Sequence, residues 1–271
     1  MFRKLHGVGN DFIIGMYNEG VDYEKLSKKV CDRHTGIGAD GLLLAKKVNN
    51  LYYMVFYNSD GTLAPMCGNG IRCFARYCIL EGLVQGDEFD LDTMSGIMHV
   101  KVTNKDPFMC KVCLGKPDFS SKKLDIDTLN DTFLDQEIVL SDGKKIEVSA
   151  IYMATHHLVV VVNDLQEAIN SNIPYELREH KIFKKSINVN LVQVIDRKNV
   201  KMKTYERGAG WTLACGTGAS ASYVILKKKN LIDNEITINL EKGQLKISSV
   251  DEDIYMEGPA VEIASSIEIK E

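Results

Sequence analysis

The sequence predicts two pseudo-symmetric α/β (α+β) domains, each a curved, mainly antiparallel sheet or barrel wrapped around one central helix. Three observations predict it. Two segments share one punctuation: Tyr57 lies ten residues before Cys67-Gly68-Asn69-Gly70, and Tyr205 lies ten residues before Cys215-Gly216-Thr217-Gly218. Each segment is led by a β-type run, 52–57 or 200–205, and followed by a helix-compatible run, 71–81 or 219–229. Both helical runs are too apolar to face water, so strands must cover them.

The remaining elements extend the parallel. Upstream, the apolar runs 12–15 and 158–162 correspond, as do 42–45 and 191–195. Downstream, 96–102 and 243–248 are glycine-led strands with alternating apolar positions. An ancestral duplication explains the pattern. The polar stretch 116–135, broken by Pro117, Asp118, Ser120 and Ser121, marks the boundary. The expected domains are 1–117, carrying Cys67, and 118–260, carrying Cys215, with 261–271 packing back on the first.

Composition narrows the class. A chain of 271 residues with 45% apolar residues can bury two cores, and its net charge of -4 is dispersed, which argues against a nucleic-acid partner. The basic run 227–229 falls where a helix should end and complements its dipole. No stretch approaches the roughly 20 apolar residues that span a bilayer, and the start lacks a signal-peptide core, so a cytoplasmic protein without a membrane partner is expected. Seven cysteines, an odd number, argue against a secreted disulfide framework and leave thiols free for chemistry.

A side chain at a helix entry meets unpaired backbone N–H groups and the positive end of the dipole, which stabilise a thiolate and a carboxylate alike. Gly68-Asn69-Gly70 and Gly216-Thr217-Gly218 therefore read as anion-binding nests, since neither has a Walker lysine or dinucleotide glycine spacing. Inverting a stereocentre needs a base on one face of the carbon and an acid on the other, and Cys67 with Cys215 can supply both. No lysine stands in a Schiff-base context and no metal set is evident, so no cofactor is expected. Cys110 and Cys113 sit three apart in a predicted strand and face opposite ways, and Cys73 and Cys78 have no counterpart in the second copy, so packing is the reading for all four. A zinc site using Cys67 and Cys73 is the competing reading of that pair.

Several motifs carry a family resemblance: His6-Gly7-Val8-Gly9-Asn10-Asp11-Phe12, Asp32-Arg33-His34, Gly36-Ile37-Gly38-Ala39-Asp40-Gly41, Asn58-Ser59-Asp60-Gly61, Cys67-Gly68-Asn69-Gly70-Ile71-Arg72-Cys73 and Glu206-Arg207-Gly208-Ala209-Gly210. Over nearly its whole length the chain resembles the diaminopimelate epimerases. The resemblance implies two pseudo-symmetric domains, catalytic thiols at Cys67 and Cys215, and no cofactor. It also implies that Asn10, Gly68, Asn69, Gly216 and Thr217 hold the reacting amino-acid end, while Asn58, Asn188, Glu206 and Arg207 line the distal side.

Two departures bear on the substrate. Ala154-Thr155-His156-His157 stands where the family usually carries Gly-Asn-Pro-His, and Gly208-Ala209-Gly210-Trp211-Thr212 where Gly-Ala-Gly-Glu-Thr is usual. Thr155 removes an amide donor, and Trp211, the only tryptophan, could stack on an imidazole. His157 keeps the family's histidine near the thiols. The expectation is a racemase of an amino acid, with histidine leading and diaminopimelate or lanthionine as the alternative. A ligand-binding protein without activity is the non-enzyme alternative. The oligomeric state is left open, a homodimer being one option.

Overall fold

The structure is a computed structural model and describes residues 1–269; the last two residues of the 261–271 segment lie outside them. The chain forms two compact units, Met1–Cys113 with the segment from Glu257 onward, and Leu114–Met256.

The first unit opens with β1 (Phe2–Gly7), β2 (Asn10–Met16), α1 (Tyr23–Cys31), β3 (Gly41–Val48), β4 (Leu51–Asn58) and the short β5 (Leu63–Ala64). Then come α2 (Gly68–Leu80), β6 (Glu88–Leu91), β7 (Met98–Lys105) and β8 (Phe108–Cys113). β1 to β5 pair in sequence order, antiparallel except for the parallel β2–β3 pair. β2 and β3 read as continuous apolar runs because both faces are covered. Ile13, Leu42 and Leu44 pack with Tyr23 and Val30 of α1. Phe12 and Leu43, of opposite parity, lie beneath the start of α2.

The second unit repeats this plan with β9 (Gln136–Val139), β10 (Lys145–Met153), β11 (Thr155–Val161), α3 (Leu165–Ile169), α4 (Ile173–Arg178), β12 (Asn188–Val194), β13 (Asn199–Glu206) and β14 (Gly210–Thr212). α5 (Gly216–Lys228), β15 (Glu235–Leu240), β16 (Gly243–Val250) and β17 (Asp253–Pro259) follow, and β17 carries the chain across the unit boundary. Again one pair, β11–β12, is parallel where its counterpart β2–β3 is. α5 is buried over Gly216–Leu226, leaving Lys227 and Lys228 for its last turn. The final strand, β18 (Val261–Ile267), pairs antiparallel with β1 in the first unit, as β9 pairs with β10 in the second.

Five details differ from the sequence reading. The division falls at Cys113/Leu114 rather than 117/118, because Leu114 N donates to Ile254 O and Ile254 N to Gly115 O. The polar stretch 116–135, expected to hold the boundary, lies wholly in the second unit, where Leu124, Ile126 and Phe133 enter the core. The counterpart of 42–45 begins two residues before Leu191: Leu42 pairs with Tyr57 and Val189 with Tyr205, so the repeated tyrosines set the register. By the same register Phe12 corresponds to His157, one residue before the expected run. β7 begins at Met98, two residues after Gly96, which sits in the preceding turn with φ +101°.

Between β10 and β11, Ala154 adopts φ +59°, where the equivalent turn between β1 and β2 places Gly9 at φ +90°. An L residue pays a steric cost in that region and glycine does not. Ala154→Gly is therefore expected to raise unfolding stability by about 0.5–1 kcal/mol. Denaturant midpoints of the two proteins measure it, and an unchanged or lower midpoint contradicts the account.

Candidate active site

Each unit places one candidate cysteine at the entry of its buried helix. Cys67 is the N-cap of α2, with φ -133° and ψ 124°, and Cys215 is the N-cap of α5, with φ -124° and ψ 104°. At Cys215 this extended conformation turns the sulfur toward a first-turn amide, Gly218 N, a position ordinarily taken by Ser or Asp. The following glycines admit close packing rather than unusual dihedrals. A Cβ on Gly70 would stand 3.2 Å from Cys67 Cβ, and one on Gly218 would stand 2.3 Å from Asn190 Oδ1 and 3.1 Å from Cys215 Sγ.

In the first unit the sulfur of Cys67 donates to Asn10 Oδ1 at 3.4 Å. The same oxygen accepts from Asn69 Nδ2 at 3.2 Å, while Asn10 Nδ2 donates to Asp40. Arg33 spans Asp40 and the buried Asp11, and Lys4 lies 3.1 Å from Asp11. Burial opposes ionisation of Asp11, yet the Arg33 and Lys4 donors outweigh it and hold the carboxyl below its ordinary range. Beneath Asn69, the fully buried Arg72 donates to Asn69 Oδ1 (2.9 Å), Gly68 O (3.0 Å) and Pro259 O (3.2 Å).

In the second unit Cys215 Sγ accepts from Gly218 N at 3.3 Å and lies 3.6 Å from Thr217 Oγ1. Thr217 Oγ1 in turn lies 3.1 Å from His157 Nε2. His157 is wholly buried, and that burial, helped by His156 and Arg207, lowers it to about 3, so the ring is neutral at physiological pH.

The distal candidates also fall by unit. Asn188 Oδ1 accepts from Arg207 N at 2.8 Å, and Arg207 donates one side-chain N–H to Lys185 O at 3.2 Å. Glu206 accepts from Thr212 Oγ1 at 2.7 Å. These three residues thus share one corner of the second unit, and Thr155 opens β11 there. Asn58 ends β4 in the first unit, donating to Thr62 Oγ1 at 2.9 Å. Trp211 packs edge-on against Tyr205, its register partner, with ring centroids 5.1 Å apart, and lies against the second unit's core. Core packing accounts for this tryptophan without a ligand.

Burial raises the thiols of Cys31, Cys73, Cys78 and Cys110 above their ordinary range and keeps them protonated. Among the described residues no two cysteines are joined by a disulfide. Sequence reasoning missed Asn190 and Thr204, which stand behind His157; the only trace of the first is a second asparagine in the apolar run of β12. Arg72 was quoted in a motif without a task, and nothing in its charge announces that it is buried.

A family model described as diaminopimelate epimerase matches residues 2–120 and 149–263, which is most of the chain. The chain belongs to the diaminopimelate epimerase family. It is 36% identical to the diaminopimelate epimerase of Alkaliphilus metalliredigens (strain QYMF), covering 98% of this chain and 96% of that one. It is 40% identical to that of Methanocella arvoryzae, covering 96% and 93%. Among solved structures it shares its fold with a probable proline racemase from Agrobacterium radiobacter K84, at a TM-score of 0.71 and 13% identity over 99% and 93% of the two chains. This member of the diaminopimelate epimerase family is an isomerase, a racemase or epimerase that works without pyridoxal phosphate. Among the described residues no helix is long and apolar enough to cross a membrane.

Two outcomes follow from the geometry. The folded His157 ring resists protonation down to about pH 3, whereas the unfolded ring takes a proton near its ordinary 6.5. Its contribution to stability is complete above pH 6.5 and is lost as pH falls, at ~1.4 kcal/mol per unit. Between pH 7 and pH 5, wild type should lose about 2 kcal/mol more than His157→Gln; urea titrations at both pH values measure it, and equal losses contradict it. Gly218→Ala, which drives a methyl into Asn190 and Cys215, should destabilise the protein by about 1–3 kcal/mol, and a wild-type melting curve would refute that packing.

Proposed function

We propose that this chain inverts an α-carbon of diaminopimelate, with Cys67 and Cys215 as the acid and base. The observation that carries the reading is the placement of the two thiols at equivalent N-cap positions of two duplicated, buried helices. One cysteine as thiolate removes the α-proton, and the other as thiol returns a proton to the opposite face; the reverse reaction exchanges their roles. The amides at the starts of α2 and α5 hold the α-carboxylate and stabilise the charge that builds up as the proton leaves. Asn10, Asn69 and Thr217 orient the reacting end.

Diaminopimelate, rather than histidine, is supported in three ways. Relatives at 36–40% identity over nearly the whole chain carry that name. Asn188 and Arg207 form one joined group whose guanidinium suits a distal carboxylate, and Glu206 beside them suits a distal ammonium. Trp211, the feature that favoured an imidazole, is accounted for by Tyr205.

Side-by-side kcat/KM values for diaminopimelate and histidine test the substrate. The expected order is diaminopimelate first, and a clear preference for histidine overturns it. For the chemistry, Cys67→Ser and Cys215→Ser should each cut turnover by about a hundred- to ten-thousandfold, with α-proton exchange followed in heavy water. Near-normal turnover by either variant would remove the two-thiol mechanism.

A further inference from the structure

The duplicated plan allows the surroundings of the two cysteines to be compared position by position. Phe12 pairs with Gly41, and Leu43 pairs with Phe56. In the other unit His157 pairs with Asn188, and Asn190 pairs with Thr204. With Tyr57 and Tyr205 as the common reference, Phe12, Leu43 and Phe56 correspond to His157, Asn190 and Thr204. The two helix starts agree: a Cβ on Gly70 would meet Phe12 and Leu43, and one on Gly218 would meet Asn190. Beneath Cys67 the trio is apolar, with Phe12 and Phe56 in an edge-to-face contact at 6.0 Å. Beneath Cys215 the same three positions are polar and equally buried.

Three buried polar side chains are costly unless every group is satisfied, and here their bonds dictate one orientation. Asn190 Nδ2 lies 3.0 Å from the carbonyl oxygen of Leu158, which can only accept, and Asn190 Oδ1 accepts from Thr204 Oγ1 at 3.0 Å. Those two partners settle which end of the amide is which. The second hydrogen on Nδ2 then points to His157 Nδ1, 3.2 Å away. Nδ1 must accept, so the neutral ring carries its proton on Nε2 and donates to Thr217 Oγ1. The threonine hydroxyl, its lone pair engaged, turns its own hydrogen toward Cys215 Sγ, which also receives the Gly218 N–H. His156 and Arg207 are the charged or titratable groups facing His157, and both disfavour a second proton on the ring. In the first unit the opposite polarity holds. Asn10 presents its carbonyl oxygen to Cys67, because its amide nitrogen is committed to Asp40. An acceptor there favours the protonated form of Cys67, against the buried Arg72 guanidinium, the charged group that acts on it.

We infer that Asn190, locked by Thr204, is a positioning residue that fixes the Nε2–H tautomer of His157 and thereby makes Cys215 the thiolate, and Cys67 the thiol, of the resting enzyme. The inference assigns roles within the two-thiol reading proposed above. Cys215 is then the base for the configuration whose α-proton faces it, and Cys67 is the base for the opposite configuration.

Thiolate ultraviolet absorbance of the full-length protein at pH 7 tests the assignment apart from activity. Cys67→Ser should keep the absorbance and Cys215→Ser should lose it; the reverse pattern overturns the assignment. In the Cys67→Ser background, Asn190→Leu, which installs the residue found at Leu43, should slow alkylation of Cys215 by iodoacetamide roughly tenfold or more. If that variant fails to fold, Thr204→Val should slow alkylation in the same direction and Thr204→Ser should restore it. An unchanged rate in Thr204→Val overturns the positioning role. Nitrogen-15 NMR of the ring should show a pyrrole-type Nε2 and a pyridine-type Nδ1 in wild type, and the opposite pattern refutes the tautomer. Diaminopimelate turnover is measured separately, so a wrong substrate leaves these readouts intact.

Discussion

A buried helix must do something with the amides of its first turn, and in this protein that constraint organises everything around it. α2 and α5 are enclosed by strands for most of their length, so their N-terminal N–H groups cannot all turn to water. A cysteine at each N-cap, with glycines one and three positions later, leaves a concentration of donors and positive dipole beside a sulfur atom. Strands can approach that point only because the helix start has no side chains in the way, as the near contacts of a hypothetical Cβ at Gly70 and Gly218 demonstrate. The same absence of bulk that permits packing creates the environment in which a thiol can ionise.

The first unit supports its cysteine with a connected set of charges and amides. Arg72, buried without exposure, holds Asn69; Asn69 and Cys67 share one oxygen of Asn10; and Asn10 is tied through Asp40 to Arg33 and Asp11. Each amide in the series has only one orientation compatible with its neighbours, which turns a set of ordinary hydrogen bonds into a fixed polarity at the sulfur. β18 belongs to this arrangement, because Pro259 O just before it receives Arg72 and Ala260 O receives Arg76. The end of the chain thus closes the edge of the unit that carries its beginning.

The repeated plan provides two such helix entries, and their surroundings are unequal. The strands under α2 retain an apolar trio at positions where the strands under α5 carry His157, Asn190 and Thr204. The proposed two-thiol inversion is formally symmetric, but it requires at any instant that one thiol hold a proton and the other not. Opposite hydrogen-bond polarity at two otherwise equivalent sulfurs is a physical way to break that symmetry. Among the distal residues, Asn188 does for the Arg207 backbone what the capping residues do for the helices, holding a loop in one conformation by accepting its N–H.

What the sequence by itself determined was whatever repeats or alternates: the two Tyr…Cys-Gly-x-Gly segments, the apolar helices behind them and the strands that must cover them all follow from local periodicity and glycine spacing. The cysteines were legible for the same reason, since a helix entry is a local event. Tertiary structure alone decided the rest, because it depends on which strand lies beside which. The polar stretch 116–135 resembles a domain boundary until Leu124, Ile126 and Phe133 are seen inside a core. Trp211 resembles a ligand platform until its cross-strand partner is Tyr205. Asn190 and Thr204 carry no motif; they matter because an antiparallel register sets them side by side beneath a cysteine 25 and 11 residues further along the chain, and register is fixed by the packing of whole faces rather than by any residue's own neighbours in sequence.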